Sequence, residues 1–322
     1  MRRFVGLLPL VALSAALFLG CPRKPAEVRV GYLPITGDVP FFVAMEKGYF
    51  SHEGVTVKAT PFREAKEAMD ALIAGQVDVL APVSLTPIFG VEQNQPGTLR
   101  MALPGGETEG HVVSHVLVKL ESPINSVDDL KGKRIGTFVG GAQKMWLELF
   151  LKRVNIDPAK DVTIIQVSPD LLVPSLLSGQ YDALYATEPY TSMAVAKGLA
   201  KVLVENPRSK YIIDPFVSGA SLVFTSKFWT AQPRTAKKAY SAMKKGIEFL
   251  EANAADAKRM IPKYAPTDTD VVLKSDLGKF YAKVSPQTAD AIQKEADLLT
   301  QAGILTKHVD VKSILLYDKD FK

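Results

Sequence analysis

From Val28 onward, short runs of β-branched and apolar residues alternate with stretches whose apolar side chains recur every three or four positions. Val28 to Leu33 and Val55 to Ala59 read as strands, with a helix over Phe41 to Phe50 between them. Ala65, Ala68, Met69, Leu72 and Ile73 then form one apolar helical face, stopped at Gly75. Val77 to Val83 follows as a strand that is apolar on both faces. Such strands, joined by helices, pair in parallel and are covered by helices on both sides, which is a doubly wound α/β arrangement. A second series follows. Arg134–Phe138, Val162–Val167, Ala183–Thr187 and Lys201–Val204 read as strands, with helices over the Trp146, Leu149, Phe150, Val154 stripe and over Leu171–Leu177. Ala220–Thr225 returns as a strand, and the rest is helical: Pro233–Leu250, Asp268–Tyr281 and Pro286–Ala302. Two α/β series without a disordered linker predict two lobes, with His115–Lys119 and Ala220–Thr225 as the crossovers of a hinge.

The amino terminus predicts export. Arg2 and Arg3 precede an apolar run from Phe4 to Leu19, about 16 residues, which is a signal-peptide pattern and shorter than the ~20 residues of a membrane-spanning helix. The run ends in Phe18-Leu19-Gly20-Cys21, which resembles the lipobox of bacterial lipoproteins; that resemblance implies removal of residues 1–20, lipid on Cys21 and a tether over 22–26. Cys21 is the one cysteine in the chain, so the exported fold cannot close an internal disulfide and must rest on its core. About 300 residues remain, enough for two lobes. Loss of Arg2 and Arg3 lowers the formal charge from +5 to +3, with no run of five or more like charges, which argues against a nucleic-acid partner.

In open α/β sheets, ligands sit beyond the carboxyl ends of strands, where helix amides point outward. That rule selects Thr36, Gly37 and Asp38 after the first strand and Ser84 and Thr86 after the third, whose side chains either meet a ligand or cap the following helix, and Gly140, Gly141 and Ala142 in the second series, where paired glycines either permit close backbone approach or only make a tight turn. Asp170, Ser218 and Gly219 occupy further cleft-edge positions, and Glu188 and Tyr190 follow the Ala183–Thr187 strand. Glu188 either meets a ligand N–H or caps a helix start. Phe41, Tyr185 and Phe216 either stack on a flat ligand or pack in the core. His111 and His115, four apart on a strand, lie about 13 Å from each other and do not form a metal pair. No cofactor is expected. Lys144 is the one basic residue near these loops, which favours a neutral or amine-bearing organic solute.

Several segments together resemble one family. They are Val30-Gly31-Tyr32-Leu33-Pro34, Pro40 through Phe50, Glu53-Gly54-Val55, Ala74-Gly75-Gln76-Val77-Asp78-Val79, Asp129 through Gly136, and Ser178-Gly179-Gln180-Tyr181-Asp182-Ala183 with Glu188-Pro189. Over roughly Val28 to Trp229 the chain is similar to the nitrate/sulfonate/taurine and thiamine-pyrimidine binding proteins of ABC importers. The resemblance implies a type II periplasmic-binding-protein fold, with lobe one over 27–118 plus 216–322 and lobe two over 119–215, and it puts the Thr187–Tyr190 loop in the cleft with Glu188 or Tyr190 facing the ligand. It implies a monomeric, membrane-tethered binder that delivers a small molecule to permease and ATPase subunits. Two other functions are open to such a fold. One is a tethered ligand sensor signalling to a partner. The other is chemistry like that of the yeast-type pyrimidine synthases, whose cysteine- and histidine-rich motif has no counterpart here.

Overall fold

The computed structural model describes residues 26–139 and 142–322. Twelve strands form two sheets. The first contains β1 (Ala26–Tyr32), β2 (Val55–Pro61), β3 (Val79–Leu80), β4 (Val83–Ser84), β5 (Leu99–Glu107), β11 (Phe216–Thr225) and β12 (Lys279–Phe280). The second contains β6 (Ser114–Lys119), β7 (Arg134–Phe138), β8 (Thr163–Val167), β9 (Ala183–Thr187) and β10 (Ala200–Glu205).

The first sheet runs β2-β1-β3-β11-β5-β12, with β4 against β11. The second runs β8-β7-β9-β6-β10. The βαβ segments pair in parallel as expected: β2-β1-β3 in one sheet and β8-β7-β9 in the other. β11 is antiparallel to its neighbours β3 and β5, and β6 is antiparallel to its neighbours β9 and β10, so both sheets are mixed.

Each parallel unit is locked by the same device. Gly75-Gln76-Val77-Asp78 and Gly179-Gln180-Tyr181-Asp182 each end a helix and lead into a strand. Gly75 and Gly179 take φ of +70° and +80°, the left-handed region where a side chain is strained. Asp78 then accepts from Arg29 N at 2.9 Å and Arg29 Nε at 3.0 Å, and Asp182 accepts from Arg134 N at 2.9 Å and Arg134 Nε at 3.2 Å. These motifs therefore lie at the amino ends of strands, pinning first strand to third, at the opposite end of each sheet from the candidate loops.

Helices cover both sheets. The Ala65–Ile73 helix buries Ala68, Met69 and Leu72 of the stripe read from its spacing, while Ile73 at its end is exposed. Val39–Glu46, which carries Phe41 and Phe42, packs against the long Pro233–Ala252 helix. Fully burying each such Leu or Phe contributes roughly 2–3 kcal/mol. On the second sheet, Gln143–Arg153 packs against one face, with Ile135, Val116 and Tyr185 beneath it, and Leu172–Ser178 packs against the other, with Leu117 and Leu184. The helix expected over Asp268–Tyr281 is instead a short helix, Thr269–Lys274, then a bend and β12. The break follows from Gly278, whose φ is +79°, and from the pairing of Lys279 and Phe280 with β5. No helix among the described residues is long and apolar enough to cross a membrane.

The chain leaves the first sheet after Glu107 and enters the second at Ser114; it returns between Glu205 and Phe216. β6, expected within the first lobe and as a crossover, pairs only with β9 and β10, and β11 pairs only within the first sheet. The segments that cross are 108–113 and 206–215.

Candidate functional site

The crossings determine which edges face each other. β11 is antiparallel to β3 and β5, so its first residues lie at the carboxyl ends of the first sheet's parallel strands, with Gly219 opposite Ser84 and Phe216 opposite Glu107. β6 is antiparallel to β9, so Ser114 lies opposite Thr187 at the carboxyl edge of the second sheet. Both crossings therefore join the two carboxyl edges, and the loops at those edges converge.

The first edge carries Thr36, Gly37, Ser84, Thr86, Ser218 and Gly219, of which Gly219 lies opposite Ser84. Ser84 is exposed and precedes the Leu85–Glu92 helix without capping it, so its hydroxyl and the first-turn amides have no side-chain partner among the described residues. A Cβ on Gly219 would lie 2.7 Å from the Val83 carbonyl oxygen; glycine is what lets β4 approach β11 here. Asp38 has another role. It is fully buried, and its Oδ2 accepts from Leu33 N at 2.7 Å, folding the 33–38 loop back on itself. Burial pushes its carboxyl well above the usual range, against the pull of that amide. Its Oδ1 has no partner among the described residues.

Phe41 and Tyr185 present no surface to a solute. Phe41 is fully buried between Tyr32, Phe42 and Phe50, with ring centroids 5.3 to 6.2 Å away. Tyr185, on the central β9, is also fully buried, and burial raises its hydroxyl far above the ordinary tyrosine range. Phe216 is 1 % exposed and meets Trp146 edge-on at 4.9 Å. Strand alternation sends Tyr185 and Phe216 into the core, and the buried face of the Val39–Glu46 helix does the same for Phe41.

On the second edge, Gly140 and Gly141 lie outside the described residues, as does Cys21. Ala142 is buried at the start of the Gln143–Arg153 helix. Glu188 acts as a helix cap: its carboxylate accepts from Ser192 N at 3.1 Å and Ser192 Oγ at 2.8 Å, at the start of Tyr190–Ala196. Tyr190 is half-buried, and its hydroxyl is raised by burial and then by the nearby charge of Asp170, which is exposed. Lys144 is engaged by Glu148 one turn along the helix.

Residues that the sequence reading did not select complete this edge. Val139 and Leu171 are 51 % and 47 % exposed, and Val139 N donates to Val167 O at 2.9 Å, which joins the loops after β7 and β8. Ile35, on the first edge, is 49 % exposed. The signal for them was an apolar residue placed directly beyond a strand, where loops are ordinarily polar. Thr137 Oγ1, Gln143 Oε1 and Thr191 Oγ1 are buried without a hydrogen-bond partner among the described residues, all at the carboxyl ends of β7 and β9 or the helix starts that follow. Buried polar atoms are ordinarily paired, so three orphans at one edge mark a place that a bound molecule can satisfy. Two concavities of the described surface, about 450 and 390 Å³, lie elsewhere. One flanks the Ala65–Ile73 helix; the other lies beside Gly110, His111 and Lys274–Phe280.

Comparison with known proteins agrees with this architecture. A Bacillus subtilis (strain 168) protein named for binding aliphatic sulfonates is 27 % identical over 95 % of this chain and 93 % of its own length. The periplasmic aliphatic sulphonate binding protein SsuA from Escherichia coli superposes with a TM-score of 0.75 at 17 % identity, over 91 % of this chain and 92 % of that one. The periplasmic nitrate-binding protein NrtA from Synechocystis PCC 6803 superposes with a TM-score of 0.68 at 14 % identity, over 92 % and 87 %. The fold is thus the periplasmic-binding-protein fold expected from the sequence. The model of the NMT1-like family matches residues 22–263, most of the chain, and the protein belongs to that family.

Proposed function

We propose that this chain is the extracytoplasmic solute-binding lipoprotein of an ABC importer, held to the membrane by lipid on Cys21. It captures one small organic solute or oxyanion between two lobes and presents it to permease and ATPase subunits, without catalysis. Lobe one comprises β1 to β5 with β11 to the carboxyl terminus; lobe two comprises β6 to β10. The observation that carries this reading is the convergence of both carboxyl edges at the two crossings, with free helix amides and hydroxyls on one side and orphaned Thr137, Gln143 and Thr191 on the other. The sulfonate- and nitrate-binding relatives support the same role. Ligand sites of this kind combine apolar walls with a few aimed polar groups.

Within that class, Ile35, Val139 and Leu171 offer apolar surface, and the one lysine at these loops is already paired. Both facts favour an organic solute with an apolar part over a bare inorganic anion. Thr36, Gly37, Ser84, Thr86, Ser218, Gly219, Tyr190, Gly140, Gly141 and Ala142 are assigned to contact it, with Asp170 and Glu188 at the rim. The test is thermal unfolding of the full-length protein in detergent with taurine, methanesulfonate, nitrate or 4-aminopyrimidine. A ligand at a hundred times its Kd stabilises the folded state by about 2.7 kcal/mol. If no compound from these classes shifts the midpoint, the reading fails.

A further inference from the structure

Glu107, the last residue of β5, and Arg208, in the Pro207–Tyr211 helix of the second crossing, form an ion pair from which solvent is almost absent: their side chains are 0 % and 4 % exposed. Arg208 Nε donates to Glu107 Oε1 at 2.8 Å. The same carboxylate accepts from Ser114 N at 2.8 Å and Ser114 Oγ at 2.9 Å, and Ser114 is the first residue of the second sheet. One first-lobe carboxylate is therefore held by donors from beyond the first crossing and from within the second.

The surroundings tie Arg208 to the second lobe. Its helix packs against Gln143–Arg153 and β6, with Tyr211 edge-on to Phe150 at 5.3 Å. Its guanidinium lies 4.5 Å above the Phe216 ring, which also meets Trp146. Asn206 N donates to Ser114 O at 2.9 Å, and its Nδ2 donates to Thr108 O, which joins the two crossing segments directly. A second first-lobe carboxyl, Glu295, faces Arg208 from the Pro286–Gln301 helix. The chain passes between the lobes at 108–113 and 206–215, and this cluster fastens those segments to each other at one buried point.

Resting on the two-lobe reading above, we propose that Glu107, Ser114 and Arg208 are positioning residues that set the angle and spread of the hinge, and so tune solute affinity from outside the solute site. An ion pair suits this role because a buried charge stripped of its partner has no low-energy position, so the pair selects one geometry rather than many. Affinity follows, because a solute binds in proportion to the fraction of molecules in the competent arrangement.

The test needs no solute. Spin labels on Glu64→Cys and Lys160→Cys, both exposed and in different lobes, report the interlobe distance of the full-length, lipid-anchored protein in nanodiscs. Arg208→Lys and Glu107→Gln are expected to broaden the distance distribution about twofold, with amide exchange in both crossings about tenfold faster. Ser114→Ala, which removes one hydroxyl bond and keeps the ion pair, is expected to give a smaller broadening and decides the matter if the other two do not fold. A defect of packing alone lowers the unfolding temperature without moving the distances. Distributions of the folded variants that superimpose on the parent would overturn the proposal while leaving the solute-binding reading in place. Failure of every solute to bind would leave these distances unaffected.

Discussion

Glu295 provides the sharpest test of the energetics at the hinge. It is 3 % exposed, its Oε2 has no partner among the described residues, and burial pushes its carboxyl up from 4.5 to about 8; the attraction of Arg208 pulls downward and is outweighed. The folded protein thus keeps a proton that the unfolded chain loses. Its stabilising share is full below the unfolded value of 4.5, is lost as pH rises, and is gone above about 8. At about 1.4 kcal/mol per unit, the whole shift corresponds to a ceiling of roughly 5 kcal/mol, and relaxation with water entry reduces this to about 2–3. Glu295→Gln keeps the shape and cannot ionise, so the variant is expected to gain stability relative to the parent by about that amount between about pH 5 and pH 9. Urea unfolding followed by circular dichroism at three pH values in that window measures the difference. If the two proteins lose stability in parallel with pH, Glu295 is not the buried, proton-holding carboxyl described here.

Five other substitutions have definite outcomes. Gly219→Ala forces a methyl against the Val83 carbonyl oxygen, and we expect a loss of roughly 1–3 kcal/mol in thermal unfolding together with weakened solute binding, since β4 presents Ser84. Gln143→Ala is expected to weaken solute binding about five- to tenfold, measured by calorimetry, while the melting temperature moves by no more than a degree or so, because Oε1 has no partner to lose. Asp78→Ala and Asp182→Ala each leave a backbone amide and an arginine without their acceptor, for a cost of about 1–3 kcal/mol in denaturant unfolding, and solute affinity at the far end of the sheets is expected to hold. Cys21→Ser is expected to release the protein from the membrane fraction on cell fractionation; unchanged retention would show that another feature holds it there.

Much of the architecture was legible because it is written in local periodicity. The i, i+3, i+4 stripe from Ala65 to Ile73 is a helix, and the apolar runs of β1, β7 and β9 are buried parallel strands, since each pattern reports the environment of its own residues. The Gly-Gln-x-Asp motifs marked the family, yet only pairing to Arg29 and Arg134 revealed that they brace the sheets at the end away from the solute.

What the sequence by itself determined was the order of elements, their buried faces, the export and lipidation expectation and the family. Only the tertiary structure decided which edges meet. Gly219 comes to Ser84, and Arg208 to Glu107, through sheet register and chain crossing, which no local window contains. The same long-range packing sent Phe41 and Tyr185 inward, turned Glu188 to its own helix and left Thr137 and Gln143 without partners. A residue's type limits the bonds it can make; which of them it does make depends on neighbours that only the folded chain supplies.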